Sequence, residues 1–175
     1  MHDKALNATG ILDLVALDVN FIEDWSSGAC PADASHGGLN GCVADRFFLC
    51  AEKTLPAADA WPFIHCGYEY QKCLMLSEGT DKYPNCYEDH VLEACAGDAY
   101  DGLKSCAANT TSATWMQESA KTANAVNGGH PSWVFVDGVD VTDDSKGTDA
   151  WAASVLAAIC SAATKKGLKV PDACA

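Results

Sequence analysis

Cysteine is the residue type that most constrains this chain, because ten of the 175 residues are cysteines. An even number of cysteines in a well-mixed, non-repetitive sequence indicates a disulfide framework. No two of them are spaced as C-x-x-C, the usual sequence mark of a dithiol redox centre. The sequence therefore predicts an oxidised scaffold without a visible reactive pair. The predicted structural cysteines are Cys30, Cys42, Cys50, Cys66, Cys73, Cys86, Cys95, Cys106, Cys160 and Cys174.

Length and composition favour one compact domain over residues 1–175. Hydrophobic residues make up 49% of the chain, and its length lies in the usual range of about 100 to 200 residues per domain. The formal net charge of -13 would repel a phosphate backbone, which argues against nucleic acid as a partner. No run approaches the roughly 18 continuous apolar residues of a membrane span, so we expect no membrane insertion.

Two short motifs and the cysteines point to a secreted or endomembrane protein. Asn7-Ala8-Thr9 and Asn109-Thr110-Thr111 both fit the acceptor pattern for N-glycosylation. The first residues contain no signal segment, because Asp13 and Asp18 interrupt the only hydrophobic stretch. If the protein is secreted, we therefore expect its targeting segment upstream of Met1.

The pattern along the first two thirds of the chain predicts a strand, a loop and then helices. Residues 15–21 alternate apolar with small or polar side chains, which predicts a strand. Residues 23–40 are rich in Ser, Gly, Ala and Asp, which is typical of a loop. Helical patterns follow at about 57–76, 88–96 and 112–126.

The clearest local signal is a β-hairpin. Trp133–Val136 is a dense β-forming run, Asp137-Gly138 is the favoured two-residue type I′ turn, and residues 139–141 supply the returning strand. A helix is predicted over about 150–166, because apolar residues recur on one face, lysines occupy the last turn and Gly167 can stop it. These elements predict an α/β chain with no internal repeat.

Spacing settles little about which cysteines pair. Cys160 and Cys174 flank the end of the last predicted helix and are placed to close a short loop. Cys66 and Cys73 lie seven positions apart on a predicted helix, and we interpret both as structural. The other pairings stay open. The histidines and cysteines have no C-x-x-C or H-x-x-x-H spacing, so no metal site is predicted, and no fingerprint indicates a cofactor.

Five segments of the chain carry a family resemblance: Cys42–Cys50, Trp61–Cys66, Leu92–Asp98, His130–Gly138 and the tail from Cys160 to Cys174. Taken together, in order and register, they resemble the gamma-interferon-inducible lysosomal thiol reductase family over about residues 11–174. The resemblance implies a thioredoxin-like α/β fold and the reduction of protein disulfides in endosomes and lysosomes. It divides the chain into a strand and Cys-rich loop (11–56), a helical insertion (57–126), and a β-hairpin with a C-terminal helix (127–175).

The same resemblance places His130, Pro131, Ser132 and Trp133 beside the redox site. The family has proline directly before the tryptophan, where thioredoxin-like folds place a cis-proline, but Ser132 intervenes in this chain. A cis bond at His130-Pro131 would indicate a maintained redox site, because such a bond is costly. The family's Cys-Gln-His-Gly loop is also altered, since an insertion follows Cys30.

The family's reactive C-x-x-C or C-x-x-S has no counterpart here. Only the fourteen residues 1–14 precede the predicted strand, which is too few for a further strand and a full helix. We therefore expect an N-terminally incomplete copy, with no catalytic residue identified and with activity absent or severely impaired. Two functions stay open: an oxidoreductase acting on disulfide-containing proteins, or a non-catalytic, disulfide-stabilised domain for binding or structure.

Overall fold

The computed structural model describes residues 2–21, 38–69, 89–127, 134–142 and 148–175. Within these ranges the chain is mostly helical, with one two-stranded antiparallel sheet. The strands are β1 (Phe135–Val136) and β2 (Val139–Asp140), and short 3-10 turns cover Gly97–Ala99 and Asp172–Cys174. The helices are α1 (His2–Leu6), α2 (Gly38–Thr54), α3 (Ala57–Glu69), α4 (Asp89–Ala96), α5 (Tyr100–Ala107), α6 (Thr110–Asn127) and α7 (Thr148–Lys165).

Backbone contacts divide the chain into two compact units. The helical unit comprises residues 18–129 and contains α2 to α6. The hairpin unit comprises residues 1–17 and 130–175 and contains α1, both strands and α7. The interpretation of residues 1–175 as one thioredoxin-like domain stays a prediction.

The helical unit is built around α2. This helix packs against α3, α5 and α6, and five consecutive residues, 47–51, are buried. A helix that is buried over consecutive positions lies inside a core, whereas a surface helix buries one stripe. The same burial explains why α2 was missed in the sequence, since it erases the three- and four-residue spacing that marks a helix. Residues 38–40, predicted as loop, belong to its first turn.

An aromatic cluster around Phe48 joins three segments of the helical unit. Its ring centroid lies 5.5 Å from that of Phe63, 5.4 Å from that of Tyr68 and 6.3 Å from that of Phe21. These separations lie in the favourable range for aromatic pairs. Gly67 allows the close approach, because a Cβ built there would lie 2.3 Å from Cζ of Phe48.

The strand predicted at 15–21 is wrong, because the structure assigns no strand there. Side chains of helices take the place of a partner strand: the backbone N–H of Val19 donates to Oε2 of Glu52 at 3.0 Å, and that of Phe21 donates to Oγ of Ser119 at 2.8 Å. A strand requires a neighbouring backbone to form its ladder. The alternating sequence pattern corresponds to alternating burial without a strand, since Phe21 is buried whereas residues 16 and 18 are exposed.

The other helices of the unit agree with the sequence in type and in approximate place. The helix predicted from residue 57 begins at Ala57, and its described part ends at Glu69. The helix predicted at 88–96 is α4, and the one predicted at 112–126 lies within α6. The two helices α1 and α5 were not predicted. α1 has only five residues, which is too few turns to show a period.

The predicted hairpin is confirmed in the hairpin unit. β1 and β2 pair with Phe135 opposite Asp140 and Val136 opposite Val139. Asp137 and Gly138 have φ values of 52° and 78°, as a type I′ turn requires. The ladder extends by one hydrogen bond from Val141 N to Val134 O at 2.9 Å.

The predicted C-terminal helix is confirmed as α7, which supplies most of the core of the hairpin unit. Trp151, Val155 and Ile159 are buried on one face with Ile11. The indole Nε1 of Trp151 donates to the carbonyl of Val141 at 3.0 Å, which fixes the hairpin to α7. The α/β expectation therefore holds coarsely, as a helical chain with one small sheet.

Candidate functional site

Disulfides are the chemical feature that sequence and structure share. The structure forms Cys50–Cys106, Cys66–Cys95 and Cys160–Cys174, with Cα–Cα distances of 6.0, 5.7 and 5.5 Å. Cys42 is also disulfide-bonded, and no described cysteine is a free thiol. The predicted structural role is thus supported for these cysteines. The three others, Cys30, Cys73 and Cys86, lie outside the described residues.

The Cys50–Cys106 bond ties the buried α2 to the short α5. Cys50 has no exposed surface, and its neighbours 47–49 and Ala51 are buried as well. A nucleophilic thiolate must reach a sulfur atom in line to exchange it, so burial protects the Cys50 side of this bond, whereas Cys106 is half-buried. Its role is to hold two helices together.

Beside this bond, Arg46 connects α2 to the turn between α5 and α6. Its Nε and Nη2 donate to Oγ of Ser112 at 3.1 and 2.8 Å, and Nη2 also donates to the carbonyl of Asn109 at 2.8 Å. The Ser112 hydroxyl is buried and lies 3.0 and 2.7 Å from the carbonyl oxygens of Ala107 and Asn109. Partial burial lowers the pKa of Arg46 from its ordinary value. This network is structural, because its donors are directed at the protein's own backbone and hydroxyl.

The Cys66–Cys95 bond lies beside a cleft of about 300 Å³ between α3 and α4. Cys95, Phe63 and the carboxylates of Asp59 and Asp98 contribute to its lining. A thiolate is favoured by neighbouring positive charge, whereas carboxylates disfavour it. No basic side chain is among the described residues that line the cleft, so this lining supplies no positive charge that would favour a thiolate.

The Cys160–Cys174 bond confirms the short loop expected from the sequence. It joins the last part of α7 to the C-terminal 3-10 turn across 14 positions. Pro171 precedes that turn and lies against Gly10, where an added Cβ would come within 2.9 Å of the proline Cβ. Gly10 has a φ of 80°, so backbone conformation and space both favour glycine. The bond and this contact fix the C-terminus within the hairpin unit.

The predicted redox-adjacent residues His130, Pro131, Ser132 and Trp133 lie outside the described residues, and so does the His130-Pro131 bond whose isomer would bear on a redox site. The structure begins again at Val134 and forms the hairpin that follows them. Lys166 Nζ donates to Asp137 Oδ1 at 2.5 Å, which links the hairpin turn to the end of α7. These contacts position the hairpin but bring no titratable group to a cysteine.

The remaining charged contacts are structural. The Lys53 ammonium donates to Oε1 of Glu52 at 2.6 Å, and this hydrogen bond is the largest cause of its raised pKa. The Lys4 ammonium donates to Oδ1 of Asp149 at 2.7 Å and lowers the pKa of that exposed carboxyl. Among the described residues no cluster of three or more His, Cys, Asp or Glu side chains could hold a metal ion. Nor is any helix of these ranges long and apolar enough to cross a membrane.

Both predicted glycosylation acceptors are exposed. Asn7 follows α1, and its neighbour Thr9 is also exposed. Asn109 precedes α6, and Thr111 two positions later is exposed in the first turn. Accessible amide and hydroxyl groups are what an acceptor sequence needs, so neither motif is excluded by burial.

Comparisons of the chain with protein-family models, curated proteins and solved structures found no match. The reductase family and the thioredoxin-like fold therefore stay predictions based on the segments quoted above.

Sequence reasoning missed the partners of Cys50 and Cys66 and the Arg46 network. Cys50 and Cys106 are 56 positions apart, and Cys66 and Cys95 are 29 apart. Pairing over such distances depends on how helices pack, and no local signal in a single sequence carries that information. The Cys160–Cys174 pair could be predicted, because the two residues flank the end of a single predicted helix.

Proposed function

We propose that this chain supplies the disulfide-framed scaffold of a thiol–disulfide oxidoreductase of the lysosomal thiol reductase type, which reduces disulfides in protein substrates. The observation that carries the proposal is the state of the cysteines that the resemblance assigns to the family framework. All six are disulfide-bonded: Cys42, Cys50, Cys66, Cys95, Cys160 and Cys174.

The oxidised state also limits what these residues do in the reaction. Exchange begins when a thiolate attacks a disulfide sulfur, and a second thiol then releases the mixed disulfide. No described cysteine offers a thiolate, and the cleft beside Cys95 is lined by the carboxylates of Asp59 and Asp98. The described cysteines therefore hold the fold, and the proposed function requires a reactive C-x-x-C or C-x-x-S in addition to them. Disulfides are compatible with the oxidising secreted or endolysosomal environment in which such an enzyme works.

The test is insulin-disulfide reduction by two proteins: the product of the whole transcript and the 175 residues alone. We expect reduction by the first and none above the reductant blank by the second. A matched variant of the first protein, with both cysteines of its C-x-x-C or the one of its C-x-x-S changed to serine, is expected to lose activity. A whole-transcript product that contains no such motif or does not reduce insulin would refute the proposal.

A second candidate is a non-catalytic, disulfide-stabilised domain that serves binding or structure in a secreted or endomembrane compartment. The observation that favours it is the absence of any free thiol among the described cysteines. It predicts that the folded chain incorporates no alkylating reagent at these positions under native conditions. Rapid native labelling of one of them, mapped by peptide mass spectrometry, would count against it.

A further inference from the structure

The geometry points to Asn109 as an N-glycan acceptor whose carbohydrate leaves the start of α6 intact. Asn109 is exposed, and Thr111 completes the acceptor pattern with an exposed side chain. The site lies at the turn that joins α5 to α6, three positions after the disulfide-bonded Cys106. The inference concerns modification of this turn and does not depend on the redox function proposed above.

The two ends of the Asn109 side chain have separate tasks. Oδ1 accepts a hydrogen bond from the backbone N–H of Thr111 at 3.1 Å and one from the hydroxyl of Thr110 at 3.2 Å. This is the contact by which an N-cap residue satisfies a free N–H in the first turn of a helix. Within the described part of the chain, Nδ2 makes no hydrogen bond. The atom that caps the helix is therefore not the atom that glycosylation modifies.

The transfer reaction preserves that division. Nδ2 forms a bond to C1 of a lipid-pyrophosphate-linked oligosaccharide, the bond from C1 to the pyrophosphate oxygen breaks, and the pyrophosphate leaves with the lipid. Nδ2 loses one proton and keeps the other, and the amide remains uncharged. Oδ1 still accepts the N–H of Thr111 after the reaction, so the cap hydrogen bond and the glycan coexist on one side chain.

The backbone of Asn109 is fixed independently of its side chain. Its carbonyl accepts from the guanidinium of Arg46 at 2.8 Å and lies 2.7 Å from the buried hydroxyl of Ser112. The Cys50–Cys106 bond holds the preceding helix to α2. These contacts hold the turn without using Nδ2. A glycan on Nδ2 of the exposed Asn109 would therefore extend into solvent and leave them in place.

The experiment uses the full chain, secreted from mammalian cells behind a cleavable leader. The Asn109 peptide is analysed by mass spectrometry after an amidase that removes N-glycans and converts the asparagine to aspartate. We expect the glycan-dependent mass shift at Asn109. Thr111→Ala is expected to lose the shift while keeping the cap, because the cap uses the backbone N–H of Thr111. Thr111→Ser is the matched control and is expected to keep the shift.

Asn109→Asp tests the effect of the glycan separately from that of the helix cap. Its carboxylate can still accept the cap hydrogen bond, but it has no amide nitrogen to glycosylate. We expect Asn109→Asp to lose the glycan and to unfold within a few degrees of the wild-type protein. Asn7→Gln is expected to leave the Asn109 shift unchanged. Chains that remain inside the cell are analysed in the same way, because transfer precedes secretion. An unmodified Asn109 in wild-type chains that carry the Cys50–Cys106 bond overturns the inference, and so does loss of the fold on glycosylation.

Discussion

Removal of the Cys160–Cys174 bond is expected to destabilise α7 by an amount that the loop length determines. No other cysteine lies between these two positions, so the closed loop has one defined length. Cross-linking a loop of about 15 residues stabilises a native state by about 3 kcal/mol through the entropy of the unfolded chain. The double variant Cys160→Ala/Cys174→Ala removes this contribution and leaves no unpaired thiol to form other bonds.

Hydrogen exchange of the α7 backbone measures this effect without requiring the whole chain to unfold in one step. A loss of about 3 kcal/mol corresponds to roughly a hundredfold faster exchange of its protected amides. The two sulfurs are half-buried against the core that contains Trp151 and Val155, so their loss adds to the effect. Deuterium uptake by α7 peptides is followed by mass spectrometry in the wild-type and variant proteins.

Ser161→Ala provides the matched control, because residue 161 is exposed and adjacent to Cys160. We expect its exchange to change by about twofold or less, as for surface substitutions. A double variant whose α7 amides exchange less than about tenfold faster than wild type would refute the loop-entropy reasoning. Such a result would mean that the Gly10–Pro171 contact and the α7 core hold the C-terminus without the bond.

Three further perturbations test single contacts. Gly67→Ala is expected to cost about 1–3 kcal/mol by overpacking Phe48, whereas Gly102→Ala, with no atom near its added Cβ, should stabilise α5 slightly; similar denaturation midpoints for both would contradict this. Ser112→Ala should cost about 1–3 kcal/mol, because it removes the buried hydroxyl that bonds the Ala107 carbonyl and leaves the part-buried Nε of Arg46 without its acceptor. Thr114→Ala on the exposed face of α6 should cost under about 0.5 kcal/mol, and equal costs would refute the network's role. Lys4→Met should raise the pKa of Asp149, because the hydrogen bond from Lys4 lowers that pKa. The Lys4–Asp149 contact stabilises the fold above the unfolded pKa of Asp149, and this stabilisation is lost as pH falls through the folded pKa. An unchanged Asp149 pKa in an NMR titration of the variant would exclude the contact.

The hairpin and α7 could be predicted because their signals are local. Asp137-Gly138 determines its own turn, and the apolar face of α7 with Gly167 after it determines a helix and its end. The segment 15–21 and α2 could not be predicted, because tertiary contacts decide them. Alternating burial in 15–21 arises from packing against helices, and consecutive burial in α2 hides its period. The same limit applies to the candidate site, where a cysteine count indicated oxidation but could not assign the long-range pairs.

The positions of the disulfides follow from the lengths of the helices that they join. α4 and α5 have eight residues each, and helices shorter than about 12 residues are marginal in water without tertiary support. Each is cross-linked to a longer helix of the same unit: α4 to α3 through Cys95, and α5 to α2 through Cys106. Opening either bond would leave a short helix that is held by side-chain packing alone. Exchange at either bond would remove a cross-link from a short helix, which favours a structural role for these four cysteines.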